Sequence, residues 1–150
     1  MRKFSEQLAE LMVLTGMPRM TARVFVSLYV TDSGTLGAAE LVSRLRVSPA
    51  SVSASIGYLT DLGLVRREQD PTRRRELYVA DDDIWLRSLL AGINADSSWS
   101  STARLGVQIF GAGTAVGHRL AGMGQFFDYL TEIVIAAIQN WHEHRRSTGS

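Results

Sequence analysis

Residues 48–63 read SPASVSASIGYLTDLG, and this stretch decides the fold. Ser48 belongs to the residue types that cap helix N-termini, and Pro49 suits the first helical position because its missing N–H has no partner there. Gly63 supplies the left-handed conformation that ends a helix after about Leu62. The sequence therefore predicts a firmly bounded helix over residues 48–62.

A basic hairpin follows this helix. Short strands are predicted at 64–67 and 76–79, and the loop between them, EQDPTRRR, is polar. Residues 64–76 carry five arginines and three carboxylates, a net charge of +2, whereas the whole chain of 150 residues carries only +1. Positive charge is therefore concentrated at the hairpin, where we expect Asp70 to brace the loop by pairing with one of the arginines.

Three further helices are predicted before residue 48, with a very short strand between the second and the third. The second helix is rich in β-formers between residues 24 and 30, so a strand is the local alternative there. The third is followed by a two-residue turn and then by the capped helix. The predicted helices are 3–14, 18–29 and 37–45, and the predicted strand is 35–36.

The order of helix, turn, capped helix and basic hairpin is that of a winged helix-turn-helix. The major groove of duplex DNA admits one α-helix, and the hairpin, or wing, reaches the flanking backbone or the minor groove. On the capped helix, Val52, Ile56, Leu59 and Leu62 are predicted to face the domain, with small residues opposite. The residues predicted to contact DNA are Ser48, Ala50, Ser51, Ser53, Ala54, Tyr58, Thr72, Arg73, Arg74 and Arg75.

Several of these features also have a purely structural interpretation. A serine-rich helix is often only well capped and solvated, and a run of arginines is usually a solvated loop, but their combination in this order favours DNA. The glycines at 111, 113 and 117 lack the preceding strand and the following lysine of a phosphate-binding loop. His142 and His144 do not share a helix face, so no metal site is predicted.

Three motifs in this region resemble the MarR family of regulators, namely VSPASVS at 47–53, YLTDLGLVRR at 58–67 and DPTRRR at 70–75. The resemblance extends over roughly residues 15–130. Four shorter motifs resemble the GbsR-like branch of that family: PRM at 18–20, DDIW at 82–85, GHRL at 117–120 and QFFD at 125–128.

The resemblance implies a homodimer, built from the first and last helices, that binds a pseudo-palindromic operator, and we expect it to regulate transcription there as a repressor. Its half-sites would lie ~34–36 Å apart, one turn of duplex DNA. The apolar residues of the last helix repeat with alternating spacings of four and three, so this helix needs a partner, in the same chain or in a second one. The predicted interface comprises Phe4, Leu8, Leu11, Leu120, Met123, Phe127, Leu130, Val134 and Trp141.

One departure from such regulators concerns the recognition helix, residues 48–62. Many of them carry a long polar residue at the positions of Ala54 or Tyr58, whereas the exposed face here has no Arg, Lys, Asn or Gln. The common contact between arginine and guanine is therefore missing from this helix. Specificity is expected from hydroxyls, from Tyr58, from contacts between alanine and thymine methyl groups, or from DNA shape.

The resemblance also implies a pocket for a small-molecule effector between the DNA-binding lobe and the dimerisation helices. Trp85, Trp99 and Phe126 are the aromatic residues predicted to line it, and such side chains suit an apolar or cationic ligand. Packing in the core or in an interface is their alternative role.

The predicted architecture is mainly α, in the α+β class. It comprises an N-terminal dimerisation helix (1–17), a winged helix-turn-helix (18–80), a helical dimerisation region (81–146) and a disordered tail (147–150). In the third part, one helix is predicted to end near residues 92–96, a second to run from Ser97 to about Phe110, and a third to run from Thr114 to residue 145 or 146 after a break at 111–113.

Composition excludes several other classes of protein. The chain has no cysteine, which excludes disulfides and thiolate metal sites. Its first residues, MRKFSEQLAE, turn acidic too early for a secretion signal, and no apolar run approaches ~20 residues, so we expect a cytoplasmic protein without a membrane span. No catalytic grouping or cofactor motif is readable, so no enzyme is expected. The rival function is a winged-helix module that binds a protein partner instead of DNA.

Overall fold

The computed structural model describes residues 2–148, with their side chains except those of Arg2, Asn94, Ala95, His142, Arg146 and Thr148. These residues form two compact units, which divide between Ser88 and Leu89. The predicted class, mainly α with a small sheet, is confirmed. The elements are α1 (Arg2–Leu14), α2 (Arg19–Tyr29), β1 (Thr35–Gly37), α3 (Ala38–Leu45), α4 (Pro49–Asp61), β2 (Arg66–Gln69), β3 (Glu76–Val79), α5 (Ile84–Phe110) and α6 (Ala115–Thr148).

The core of the first unit lies under the helices that precede the wing. The side chains of Phe25, Leu28, Leu41, Ile56 and Leu59 are all fully buried there. The helical prediction for residues 18–29 is confirmed, and the alternative of a strand is wrong, because the apolar residues of α2 cover a face that packs on both α1 and α4. Tertiary burial outweighs the local preference of β-branched residues for strands.

The three strands form one antiparallel sheet in the order β1-β3-β2. β2 and β3 form the wing, in which Arg66 pairs with Val79. β2 begins two residues later than predicted, because the N–H groups of Leu64 and Val65 donate to the carbonyl of Leu59 at 2.9 and 3.3 Å. These two residues therefore close the end of α4 before the sheet begins.

Helix α1 has two apolar faces. Leu8 and Met12, four residues apart, pack against the core. Phe4 and Leu11, seven residues apart, lie on the outer face and are 59% and 58% exposed. The predicted interface residues of this helix therefore divide, with Leu8 covered within the unit and the other two open.

The predicted break at residues 92–96 is wrong, because α5 is continuous from Ile84 to Phe110. Gly92 costs a helix only about 1 kcal/mol and no proline interrupts the ladder. Ser97, predicted to begin a new helix, donates its hydroxyl to the carbonyl of Ile93 at 3.1 Å. The hydroxyl is therefore satisfied within the running helix.

The predicted break before the last helix is confirmed. Gly111 has φ +85°, and the hydroxyl of Thr114 accepts the N–H of Gly117 at 2.9 Å, so Thr114 caps α6 as expected. The helix runs through Thr148 and so includes the first two residues of the predicted disordered tail, and the other two lie outside the described residues. No helix within residues 2–148 is long and apolar enough to cross a lipid bilayer.

Candidate nucleic-acid interface

The N-terminus of α4 is capped as the sequence predicts. The hydroxyl of Ser48 accepts the backbone N–H of Ser51 at 3.2 Å, and the two hydroxyls lie 2.9 Å apart. Pro49 takes the first helical position. The cap fixes the direction of α4 and holds two of the predicted DNA-contacting hydroxyls at its first turn, where the helix dipole favours an anion.

The two faces of α4 differ in the way its sequence requires. Val52, Ile56 and Leu59 are buried. Ala50, Ser53, Ala54 and Tyr58 are exposed, and the first three of these have short side chains. The outer face is therefore nearly smooth, which allows close approach to another surface.

Leu62 does not join the buried stripe as predicted. It is 38% exposed, because it is the C-cap residue, and the helix has ended at Asp61. Ser55, at 4% exposure, completes the inner face instead. Its small side chain allows α4 to pack closely on the unit beneath it.

Gly63 is required where the chain leaves α4. Its φ is +70°, and a Cβ built there would lie 2.7 Å from the carbonyl oxygen of Arg87, a backbone atom that cannot easily move away. The turn between the recognition helix and the wing is thus fixed against the start of α5.

Asp70 organises the tip of the wing. Arg75 donates from Nε to Asp70 Oδ2 at 2.9 Å, and the hydroxyl of Thr72 donates to Oδ1 at 2.7 Å. These hydrogen bonds, from Arg75 first, hold the pKa of Asp70 well below its ordinary value. The expected brace between Asp70 and an arginine of the loop is confirmed.

Most arginines of the wing are neutralised by carboxylates. Arg66 pairs with Glu68 and Asp81, and Arg67 Nη1 lies 3.3 Å from Glu76 Oε2. The three arginines of the loop, Arg73, Arg74 and Arg75, are exposed, and Arg75 pairs with Asp70. Among the residues that the structure describes, no carboxylate pairs with the other two loop arginines, Arg73 and Arg74.

Asp81 anchors the base of the wing to α5. Arg66 donates from Nε to Oδ2 at 2.8 Å, and Arg87 Nη2 lies 2.8 Å from Oδ1. Burial alone would raise the pKa of Asp81, but the contacts with Arg87 and Arg66 outweigh it and lower the pKa to about 2. The carboxylate is therefore charged at neutral pH and ties two elements of the first unit together.

Glu40 is a part of this region that sequence reasoning missed. Its Oε2 accepts the N–H of Gly37 at 2.8 Å and lies 3.5 Å from Nη1 of Arg75. The first contact is half of a capping box, and the spacing of Gly37 and Glu40 is the signal that was available in the sequence. The second links α3 to the wing and has no local signal.

In the second unit, part of the predicted dimer stripe packs within the chain. A Cβ built on Gly106 of α5 would lie 2.7 Å from Leu120 Cδ1, and the ring of Phe127 stacks on Trp99 of α5 at 5.7 Å. Met123, Leu130 and Val134 are half-buried, and Trp141 is 51% exposed. The stripe thus finds a first partner in its own chain.

A polar contact between α5 and α6 accompanies this packing. The buried hydroxyl of Ser100 donates to Asp128, and Arg104 Nη1 donates to the other carboxylate oxygen at 2.9 Å. The hydrogen bond from Ser100, first, and the positive charge of Arg104 lower the pKa of Asp128. These residues are far apart in the sequence, so no pattern predicted their contact.

The aromatic residues predicted to line an effector pocket lie in both units. Trp85 donates from Nε1 to the hydroxyl of Tyr29 at 3.2 Å and makes an edge contact with Phe25, all in the first unit. Trp99 and Phe126 both neighbour Phe127 in the second. The pocket itself stays a prediction.

The chain is similar to known proteins both in sequence and in fold. Residues 15–76, which contain α2 to β2 and the first residue of β3, match the model of the MarR family. The sequence matches no curated protein. A solved structure described as a transcriptional regulator is similar with a TM-score of 0.86 at 20% identity, over 95% of this chain and 97% of its own, which shows a shared fold.

Two MarR family transcriptional regulators from Streptomyces coelicolor are also similar. Sco3205, solved in complex with DNA, has a TM-score of 0.45 at 18% identity, over 87% of this chain and 79% of its own. Sco5413 has a TM-score of 0.44 at 22% identity, over 88% and 83%. In sequence, residues 15–76, which are less than half of the chain and form its winged-helix segment, are similar to the MarR family.

Proposed function

We propose that the protein is a cytoplasmic, homodimeric transcriptional regulator that binds duplex DNA with α4 and the wing. One observation carries the proposal. A firmly capped helix exposes a smooth face of small side chains, and the hairpin that follows it exposes two arginines, Arg73 and Arg74, without a carboxylate partner among the described residues. A helix that enters a groove and a cation that meets the backbone are the two parts of a winged-helix DNA contact.

The recognition helix supplies fit and little charge. Ala50 and Ala54 allow the helix axis to approach the floor of the major groove and can contact thymine methyl groups. Ser53 and Tyr58 are the exposed hydrogen-bonding side chains in the middle of the helix. Sequence preference then depends on few direct base contacts and more on the shape of the DNA.

The wing supplies charge at its tip. Arg73 and Arg74 follow a turn that the Asp70 carboxylate holds through the N–H groups of Thr72 and Arg73, at 2.9 and 3.1 Å. A pre-ordered loop loses less conformational entropy when it binds. The two arginines are suited to phosphate groups or to a narrow minor groove beside the recognition helix.

Exposed apolar side chains support the homodimer. In the second unit, Phe126, Tyr129 and Ile133 are 60%, 63% and 50% exposed, beside the stripe that packs on α5. Phe4 and Leu11 are similarly exposed on α1. So many exposed apolar side chains on α1 and α6 suit a surface that a second copy of the chain covers. Two copies related by a two-fold axis would then bind a pseudo-palindromic DNA site.

Repression by occupation of the operator, membership of the GbsR-like branch and release by an apolar or cationic effector are finer parts of the same proposal. They rest on the sequence motifs and on the aromatic residues Trp85, Trp99 and Phe126. Thermal-shift screening with choline-like and aromatic compounds tests the effector, and a melting temperature that no compound moves counts against it.

Selection of bound sequences from random duplex DNA tests the function. We expect enrichment of a two-fold symmetric site, with half-sites ~34–36 Å apart. Ser53→Arg, on the exposed face of α4, should change the enriched DNA sequence more than the overall affinity. Arg119→Ala, in the second unit, should leave the enriched DNA sequence unchanged. A wild-type protein that enriches nothing supports the rival function, a winged-helix module for a protein partner.

A further inference from the structure

A groove of about 680 Å³ lies in the first unit, on the side of α2 that faces α1 and the end of α3. Four arginines from two segments line it: Arg19 and Arg23 on α2, Arg44 on α3, and Arg46 directly after α3. Two carboxylates of α1, Glu6 and Glu10, line it as well. The lining therefore carries an excess of positive charge that two distant parts of the sequence supply.

Among the described residues, none of these four arginines forms an ion pair with a carboxylate. Arg44 donates from Nη1 to the hydroxyl of Thr31 at 3.0 Å. In the part of the chain that the structure describes, Arg19, Arg23 and Arg46 have no hydrogen bond or ion pair from their side chains. Arg19 and Arg23 are four residues apart on one helix face, a spacing at which like charges destabilise a helix.

An anion with several oxygens is the ligand that such a lining suits. The guanidinium group is a planar fork of donors that binds phosphate through two hydrogen bonds at once, and it stays charged at every physiological pH. A bound phosphate would supply the negative charge and the hydrogen-bond acceptors that these guanidinium groups do not find among the described residues.

One residue that lines the groove, Arg46, is close in sequence to the recognition helix. Arg46 lies two residues before Ser48, the N-cap of α4, and the segment between them is the turn of the helix-turn-helix. We propose that the groove binds phosphate groups of the DNA backbone beside the recognition helix. This inference rests on the proposed function, because it requires that α4 meets DNA.

The distribution of free charge favours the DNA backbone as the source of the phosphate. The exposed face of α4 has no cation, and in the wing only Arg73 and Arg74 have no carboxylate partner among the described residues. The groove offers four arginines without a carboxylate partner in that same set. Phosphate neutralisation supplies much of the affinity for DNA, so the arginines of the groove are expected to add phosphate contacts to those of the wing tip.

The proposal is tested by measuring the affinity for duplex DNA of mixed sequence by fluorescence anisotropy at several salt concentrations. Arg23→Ala and Arg46→Gly should each reduce the magnitude of the log–log salt slope by ~0.9, the value for one lost phosphate contact. Affinity should fall by the same factor for every DNA sequence, because phosphates carry no sequence information. Arg119→Ala, an exposed arginine of the second unit, is the control for loss of one positive charge.

Arg46→Gly keeps the test independent of folding. Arg46 has φ +54°, a conformation in which glycine is unstrained, so glycine removes the guanidinium and keeps or raises the melting temperature. Glu10→Gln gives a change of opposite sign, because it removes a negative charge from the same groove and should tighten DNA binding. Unchanged affinity in both variants overturns the proposal.

The outcomes separate this inference from the proposed function. If Arg74→Ala lowers the salt slope while Arg23→Ala and Arg46→Gly do not, the groove inference fails and the proposed function stands. If the wild-type protein does not bind duplex DNA at low salt, both fail. If inorganic phosphate at matched ionic strength raises the melting temperature only when Arg23 and Arg46 are present, and the DNA slope is unchanged in their variants, the ligand is a free phosphate and the DNA inference is overturned.

Discussion

Arg75 and Asp70 form an ion pair inside the tip of the wing, with 2.9 Å between Arg75 Nε and Asp70 Oδ2. The backbone closes the same loop, because the N–H of Asp70 donates to the carbonyl of Arg75 at 2.9 Å. The third arginine of the run is therefore part of the loop's own structure. Arg73 and Arg74 are the members that we expect to meet DNA.

Asp70→Asn should loosen this loop. An amide cannot hold the positive charge of Arg75, and it is a weaker acceptor for the N–H groups of Thr72 and Arg73. Amide hydrogen exchange at these two residues should accelerate, while exchange in α2 and α4 stays the same. Unchanged exchange at the tip of the wing would show that the brace does not order the loop.

Gly63→Ala and Gly57→Ala should change stability in opposite directions. At Gly63 the φ of +70° and the backbone of Arg87 both oppose a side chain, so alanine should lower the free energy of unfolding by about 1–3 kcal/mol. Gly57 lies within α4, and a Cβ there meets nothing within 4 Å. Alanine should raise the free energy of unfolding there by about 0.5–1 kcal/mol. Urea unfolding measures both, and two changes of the same sign would contradict the placement of the end of α4.

Asp81 should make the stability of the first unit depend on acidic pH. The pKa of Asp81 is lowered from 3.8 to about 2 in the folded chain, so its ion pairs stabilise the fold above pH 3.8 and lose that effect as pH falls toward 2. Asp81→Asn should cost about 1 kcal/mol at pH 7, a modest value because solvent screens a carboxylate that is one-third exposed.

Unfolding of the wild type and of Asp81→Asn at pH 7, 4 and 3 measures this dependence. We expect a constant difference between the two proteins from pH 7 down to about pH 5 and a shrinking one below pH 4. A difference that grows as pH falls would mean that Asp81 is not stabilised as a carboxylate.

Ile133→Asp should dissociate the proposed dimer. Ile133 is 50% exposed in the single chain, so the change leaves the core intact while it places a charge on the surface that the proposed dimer would cover. A two-fold interface loses two such side chains, about 3 kcal/mol or more together, which raises the dissociation constant about 100-fold. Sedimentation equilibrium measures this, with Gln139→Asp as the control for added charge on α6. The interface is wrong if Ile133→Asp remains as dimeric as the wild type.

The ends of α4 and the start of α6 could be predicted from sequence because local chemistry sets them. Ser48 and Pro49 start α4, Gly63 ends it, and Thr114 caps α6, each through contacts within a few residues. The break expected near Gly92 fails for the converse reason, since a single glycine only weakens a helix. Local sequence signals give preferences for where a helix begins and ends. Where such a preference is weak, packing or the continuity of the helix determines the structure.

Contacts between distant segments could not be predicted in the same way. The two helix faces of α1 depend on where α2 lies, and the pairing of Ser100 with Asp128 depends on how α5 meets α6. The arginine groove is of this kind, because Arg23 and Arg46 come together only through the packing of α2 and α3. Charge counted along the sequence pointed to the wing and missed this second group.

The salt dependence of DNA binding tests the central claim most directly. Duplex DNA of mixed sequence should bind the wild-type protein with an affinity that falls steeply as salt rises, and Arg73→Ala combined with Arg74→Ala should reduce the magnitude of the log–log slope by ~1.8, or ~0.9 for each arginine. Far-ultraviolet circular dichroism should show the same fold in both proteins. Equal slopes for the two proteins, or no binding by the wild type at low salt, would contradict the assignment of the wing and α4 as a DNA-binding surface.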